Sequence, residues 1–245
     1  MSDTNHRINK KNIETFFKER ANKHDELNPL KTVIYQDKNQ VLAKERDTYE
    51  KNKIKSLVNF SKNQVVLDIG CGIGRWADEI SSEVKNYIGI DYIREFIDIA
   101  NLKYKNKKNT NFFCVECTKL SNSDVISHSP YSVIMILGLF PYINNKEGYE
   151  ILNEIKTIGS DFNQIIIREP VGVQKELVLN NVWSEDMETK YSAKYRTRTW
   201  FKKMFDKTLM NEGYKLIVDE PLFPEYLNNR LETRQHLFCL KKGSD

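Results

Sequence analysis

Between residues 64 and 167 the chain alternates short apolar runs with longer segments whose apolar residues recur every three or four positions. Gln64–Asp68 (QVVLD), Tyr87–Ile90 (YIGI), Asn111–Val115 (NFFCV), Tyr131–Leu137 (YSVIMIL) and Gln164–Ile167 (QIII) predict strands. Arg75–Ser82, Arg94–Lys103 and Lys146–Ile158 carry the helical period between them. Strands that are apolar on both faces need cover on both, and strands separated by helices run parallel. Right-handed crossovers then leave a doubly wound α/β sandwich as the natural closure.

The flanks differ from this core. Residues 1–10 read as a polar tail, and Ile13, Phe16, Phe17 and Ala21 set a helical face over Asn12–Asp25. Asn28-Pro29 ends that helix, because the residue before a proline is pushed from helical angles. A second helix is predicted over Gln40–Phe60, so residues 1–60 form an N-terminal helical cap and residues 61–245 the main domain. Glu169–Arg198 has no clean period and reads as an insertion or lid, about residues 169–200, after the fifth strand. Trp200–Asn211 is helical and stopped by Gly213. Tyr214–Val218 and His236–Leu240 are late strands, joined by a loop over Asp219–Arg234 that holds two prolines.

Composition narrows the class. Apolar residues make up 40% and charged residues 29%, which suits a packed, soluble chain. The net charge of +4 comes from 38 basic and 34 acidic residues mixed along the sequence, so no nucleic-acid partner is expected. No run of 18 apolar residues predicts a membrane span, and Met1–Lys11 lacks the apolar stretch of a signal peptide. Four cysteines do not make a disulfide framework, and a reducing cytoplasm is the expected location. Cys114 and Cys117 form a C-x-x-C without the second pair or nearby histidines that zinc uses, so no metal is expected.

The most informative stretch is Val66-Leu67-Asp68-Ile69-Gly70-Cys71-Gly72-Ile73-Gly74-Arg75. A buried strand runs into glycines at alternate positions, which turn tightly and let a ligand approach the backbone. Arg75 and Trp76 follow, so the last glycine of a dinucleotide G-x-G-x-x-G is missing. Asp91 ends the next strand, where an acid suits the paired hydroxyls of a ribose.

VLDIGCGIGR followed by IGID resembles the signature of class I S-adenosylmethionine-dependent methyltransferases. The resemblance runs over about residues 65–167. It implies a Rossmann-like, mostly parallel seven-stranded sheet and S-adenosylmethionine as cofactor, leaving S-adenosylhomocysteine as product. It also implies that Asp68, Gly70, Cys71, Gly72, Gly74 and Trp76 flank the donor's aminoacyl end. By the same likeness Asp91 holds the ribose, Tyr92 and Ile93 flank the adenine, and Glu116 and Cys117 reach it from the third strand. Glu116 stands where the family usually has Asp. Leu137 would end the fourth strand facing the sulfonium, and Arg46 would meet the methionyl carboxylate.

For chemistry, no compelling general base stands out; Tyr35, His128 and His236 are the weak candidates. Orientation alone can supply on the order of 7–11 kcal/mol to such a displacement, so a base is optional. Arg168, Glu169, Tyr191, Tyr195 and Arg196 mix guanidinium forks, a carboxylate and aromatic faces near the strand ends, and are the expected acceptor contacts. They suit a sugar, a sugar nucleotide or a phosphate derivative. FFKERA, VIYQD, EKNKI, LDIGCGIGRWADEI, IREPVG and YRTR together resemble bacterial methyltransferases of surface-polysaccharide pathways, which methylate capsule sugars or a phosphoramidate group. The competing readings are an RNA or protein methyltransferase, a nicotinamide-dependent oxidoreductase, and a non-catalytic cofactor-binding module.

Overall fold

The computed structural model describes residues 7–34, 39–185 and 187–243. Its apolar runs form β1 (Val65–Ile69), β2 (Asn86–Asp91), β3 (Thr110–Cys114), β4 (Tyr131–Leu137) and β5 (Gly159–Gly172). The late strands are β8 (Tyr214–Pro221) and β9 (Thr233–Lys242), with β6 (Leu177–Ser184) and β7 (Thr189–Tyr195) between. One sheet has seven strands in the order β3-β2-β1-β4-β5-β9-β8, and β6 and β7 pair separately. The first five strands run parallel, while β9 is antiparallel to both β5 and β8. This is the doubly wound, mostly parallel sheet expected from the alternation.

Both faces of the sheet are buried, as strands without a polar face require. Leu67, Ile134 and Ile165 point to one face, with Ile151, Leu152 and Ile155 of α6 (Asn145–Ile158) and Phe201 and Phe205 of α7 (Arg198–Thr208). Val66, Val133 and Ile166 point to the other, under Ile54 of α3 (Gln40–Leu57), Ala77 and Ile80 of α4 (Ala77–Ile80), and Ile97 of α5 (Arg94–Tyr104). A third cluster covers the carboxyl ends of the strands. There α1 (Lys10–Asn22) sets Phe16 and Phe17 against Phe96, Tyr142 and Tyr191, and α2 (Leu30–Val33) follows it.

Three segments differ from their sequence expectation. The helix expected over Arg75–Ser82 shrinks to the single turn of α4. Its end is closed by Asn109, whose Nδ2 donates to the Ser81 and Val84 carbonyls at 2.7 and 3.3 Å. Strand β5 continues five residues past Ile167, because β9 runs beside it to Gly172. Pro170 falls beyond the last β4 pair, Leu137 with Arg168, so its missing N–H breaks no bond to β4. The insertion without a period is the β6–β7 hairpin, whose register shifts between Leu179 and Val182.

The chain order reverses between β1 and β4. The connections leaving their carboxyl ends go to opposite faces and open a crevice, the usual ligand position of such a sheet.

Candidate active site

The crevice begins with the loop after β1. Gly70 and Cys71 donate their N–H groups to the Ile90 carbonyl at 2.8 and 2.9 Å, tying the loop to the end of β2. Gly70, Gly72 and Gly74 all lie at positive φ, from 55° to 78°, a region that side chains strain to enter. Gly72 is also crowded: a Cβ there would stand 3.0 Å from Val33 of α2. The Gly72 and Ile93 N–H groups donate to the two oxygens of Asp91 at 3.1 and 3.0 Å. That carboxylate is thereby fixed at the mouth of the loop, and burial pushes it up to about 6. Asp68 is buried at the end of β1, accepts from the Tyr87 hydroxyl, and is likewise pushed up to about 6 by burial.

These groups open onto a cavity of about 360 Å³. Val115, Glu116 and Cys117 after β3, and Leu137 ending β4 with Gly138 and Leu139 after it, form its floor. Lys10, Glu14 and Phe17 of α1 roof it, and Tyr142, Tyr191 and Tyr195 form a side wall. The three phenols are linked, Tyr142 to Tyr191 and Tyr191 to Tyr195, each at 3.0 Å, and Arg230 donates to Tyr195 at 3.4 Å.

A buried ion network closes the remaining side. Glu50 of α3 pairs with Arg75 beyond the glycine loop, with Arg168 of β5 at 2.8 Å, and accepts from Trp76 Nε1 at 3.3 Å. Burial would raise Glu50, but Arg168 and Arg75 hold it at about 2. Asp47 shares Arg75. Arg46 lies in the same wall, stacked 4.7 Å over Phe223 and donating to Asn229 at 3.1 Å. No carboxylate pairs with it among the described residues. Burial, Arg168 and Arg230 together bring its pKa down to about 10.

The predicted residues divide on this geometry. Arg46, Asp68, Gly70, Cys71, Gly72, Trp76, Asp91, Tyr92, Glu116, Cys117 and Leu137 all line the cavity, as do Arg168, Tyr191 and Tyr195. Tyr35 lies outside the described residues. Gly74 does not reach the cavity: a Cβ there would meet the Tyr104 and Phe112 rings at 2.8 Å, so its smallness packs the loop onto α5 and β3. Ile93 contributes its N–H to Asp91, while its side chain is buried beneath α1.

Four contacts expected from sequence are corrected. Glu169 is fully buried and accepts from the N–H groups of Gly138, Leu139 and Phe140, so it serves the loop and does not line this cavity. Arg196 is turned inward, donating to the Phe140 and Ile143 carbonyls at 2.6 Å and to Asn145 at 2.9 Å. His128 packs on the Phe113 ring away from the cavity. His236 bonds Asp219 at 2.8 Å on the β8–β9 side, where Arg198 also grips Asp219. Cys117 is pushed up to about 12 by burial, the reverse of an activated thiol.

Sequence reasoning missed Lys10, Glu14, Phe17, Glu50, Tyr142 and Arg230. Phe17 was legible as part of an apolar helix face. Glu50 sits in a run of charged residues and reads as solvated until Arg75 and Arg168 come beside it.

Residues 66–159 match a family model described as a methyltransferase domain. Phosphoethanolamine N-methyltransferase 1 of Triticum aestivum is 27% identical over 131 residues, covering 52% of this chain and 25% of its own length. Phosphoethanolamine N-methyltransferase 3 of Arabidopsis thaliana is 23% identical over 208 residues, covering 82% of this chain and 40% of its own. The chain thus spans less than half the length of these curated relatives. Phosphoethanolamine N-methyltransferase 1 of Haemonchus contortus, solved with phosphoethanolamine and S-adenosylhomocysteine, superposes with a TM-score of 0.68 at 16% identity, over 96% of this chain and 50% of that one. Magnesium protoporphyrin IX methyltransferase of Synechocystis with bound S-adenosylmethionine gives 0.61 at 12% identity, over 94% and 96%. The class I methyltransferase fold expected from the glycine loop is the fold observed.

Proposed function

We propose that this chain, built on a methyltransferase domain, uses S-adenosylmethionine to methylate a nitrogen or oxygen atom of a small, phosphate-bearing acceptor. The observation that carries the reading is one cavity whose lining combines acidic groups with a cluster of guanidinium groups. The glycine loop, Asp68 and Asp91 line it together with Arg46, Arg168 and Arg230, and there Glu50 pairs with Arg168 and Arg75 and Asp47 with Arg75.

The donor fits the glycine-loop wall. The bare backbone of Gly70 and Gly72 leaves room that a side chain would occupy, and Asp91 faces that room where it can accept from a sugar diol. Val115–Cys117 offers a wall for the base, and ionised Asp68 and Asp91 favour a cationic ligand. When bound, this donor supplies a methyl group already activated on a sulfonium. The protein then needs chiefly to hold the nucleophile in line and exclude water, the task of α1, α2 and the tyrosine wall. The guanidinium groups suit a phosphate, which Arg binds in a fork. The phenol hydroxyls of Tyr191 and Tyr195 can bond the acceptor beside it.

A second acceptor reading, a sugar-linked or phosphoramidate group of a surface-polysaccharide pathway, is favoured by the open face next to Tyr191 and Arg230. Val182 and Trp183 of the hairpin are half exposed there and border a groove that shares Tyr191 and Arg230 with the cavity. That groove leaves space for an acceptor longer than a phosphorylated amine.

Calorimetric titration with S-adenosylhomocysteine tests the donor. The acceptor test incubates protein and S-adenosylmethionine with phosphoethanolamine, ethanolamine, a phosphoramidate and a sugar nucleotide, and reads a gain of one methyl by mass spectrometry. Methylation that requires the phosphate, with KM raised at least tenfold in Arg230→Ala, is the expected result. Equal methylation of ethanolamine and phosphoethanolamine would sink the anionic-acceptor reading.

A further inference from the structure

The floor of the cavity after β4 is held by a carboxylate that never touches the cavity itself. Glu169 Oε1 accepts from three successive backbone N–H groups, Gly138 at 3.1 Å, Leu139 at 2.9 Å and Phe140 at 3.2 Å. Successive amides that converge in this way form an anion-binding nest, and here the anion is part of the protein. Glu169 is fully buried, and its second oxygen has no hydrogen-bond partner among the described residues. The turn it holds is a tight one. Gly138 lies at φ 91°, and a Cβ there would stand 3.0 Å from the Arg168 guanidinium. On its far side Leu139 reaches the donor loop: a Cβ on Gly70 would touch its side chain at 3.4 Å.

We infer that Glu169 is a positioning residue, whose ionised carboxylate holds Gly138–Phe140 in place against the glycine loop and whose protonation releases that wall. The inference rests on the proposed methyl transfer for its catalytic consequence, while the loop's response to pH is independent of it.

The surroundings make the charge state of this carboxylate consequential. Burial raises its pKa and Arg168 and the three amides lower it, leaving it at about 7. Arg196, at the end of β7, also lies in its field, together with Glu176 and Glu147 around that arginine. His236 is its register partner on β9. An ionised oxygen accepts three bonds far better than a neutral one, because charge-assisted hydrogen bonds are the stronger kind. Protonation therefore weakens the nest and leaves amides inside the protein with a poorer partner. The wall that loosens includes Gly138 and Leu139, both of which line the cavity.

The decisive measurement is amide hydrogen exchange of the wild-type protein at pH 8 and pH 6, corrected for intrinsic rates. Protection at Gly138, Leu139 and Phe140 should fall at least tenfold at the lower pH, relative to β4 itself. Equal protection at both values would overturn the inference, whatever the acceptor. Glu169→Gln supplies the catalytic side. It should bind S-adenosylhomocysteine within about threefold of wild type, lose kcat at least tenfold on the acceptor that gains a methyl, and lose the acidic limb of the rate profile near pH 7. An unchanged kcat with that limb intact would overturn it too. Absence of wild-type binding to S-adenosylhomocysteine would instead remove the methyltransferase reading, and the exchange experiment would still decide whether Glu169 governs the loop.

Discussion

Asp68 and Asp91 are both acids whose pKa is raised by burial, each to about 6. An unfolded aspartate titrates near 3.9. Between that value and about 6 the folded protein binds more protons than the unfolded chain, so stability falls as pH rises through this window. A carboxylate that costs stability at pH 8 and faces a cavity suits a cationic ligand that compensates it. Asp68→Asn, which keeps an acceptor for the Tyr87 hydroxyl, should gain on the order of 1–3 kcal/mol at pH 8 and little at pH 4. Urea denaturation at the two pH values checks this, and a variant less stable than wild type at pH 8 would refute it. The same variant should weaken binding of S-adenosylhomocysteine. Asp91→Ala should weaken it at least tenfold by calorimetry while leaving the fold intact.

At the scale of elements, the loop between β1 and α4 uses two of its glycines differently. Gly72 faces the cavity under Val33, whereas Gly74 packs against the Tyr104 and Phe112 rings. Gly72→Val should therefore abolish donor binding, since the new side chain fills the ligand's space and pushes α2 away. Gly74→Val should chiefly lower thermal stability, by 2 kcal/mol or more, because rigid rings must yield to it. Measuring melting temperature and S-adenosylhomocysteine affinity on both variants separates the effects. A reversed pattern would contradict the assignment. Sequence spacing shows three equivalent glycines; only their neighbours distinguish them.

Across the whole molecule, Glu50 connects parts that are far apart in the chain. It binds Arg75 and Trp76 after the glycine loop and Arg168 at the end of β5, so α3 is tied to both sides of the crevice. Removing one member of a buried ion network strands its partners. Glu50→Ala should cost about 3–5 kcal/mol in denaturant unfolding, a range typical of broken buried pairs. A loss below 1 kcal/mol would show that the two arginines find water instead. Among the described residues Arg46 and Arg230, which also line the cavity, make no ion pair with a carboxylate, although Glu50 acts on Arg46 from nearby.

What the linear sequence determined is whatever depends on neighbours along the chain. Apolar runs broken by helical periods set the parallel sheet, the glycine loop after β1 and the acid ending β2 marked part of the cavity wall, and Phe16 with Phe17 marked a buried helix face. Those signals survive because strand period, turn geometry and helix period are local properties. The rest was decided by tertiary structure. Glu169 and Arg196 look like polar groups available to an acceptor, yet the fold turns both onto loop backbone, because buried amides and carbonyls need partners. The hairpin of β6 and β7 and the long β5 arise from cross-strand pairing, which leaves little mark on a single strand. Glu50, Arg75 and Arg168 become one network only when three separate elements meet, since Coulomb attraction depends on distance in space and not on separation along the chain.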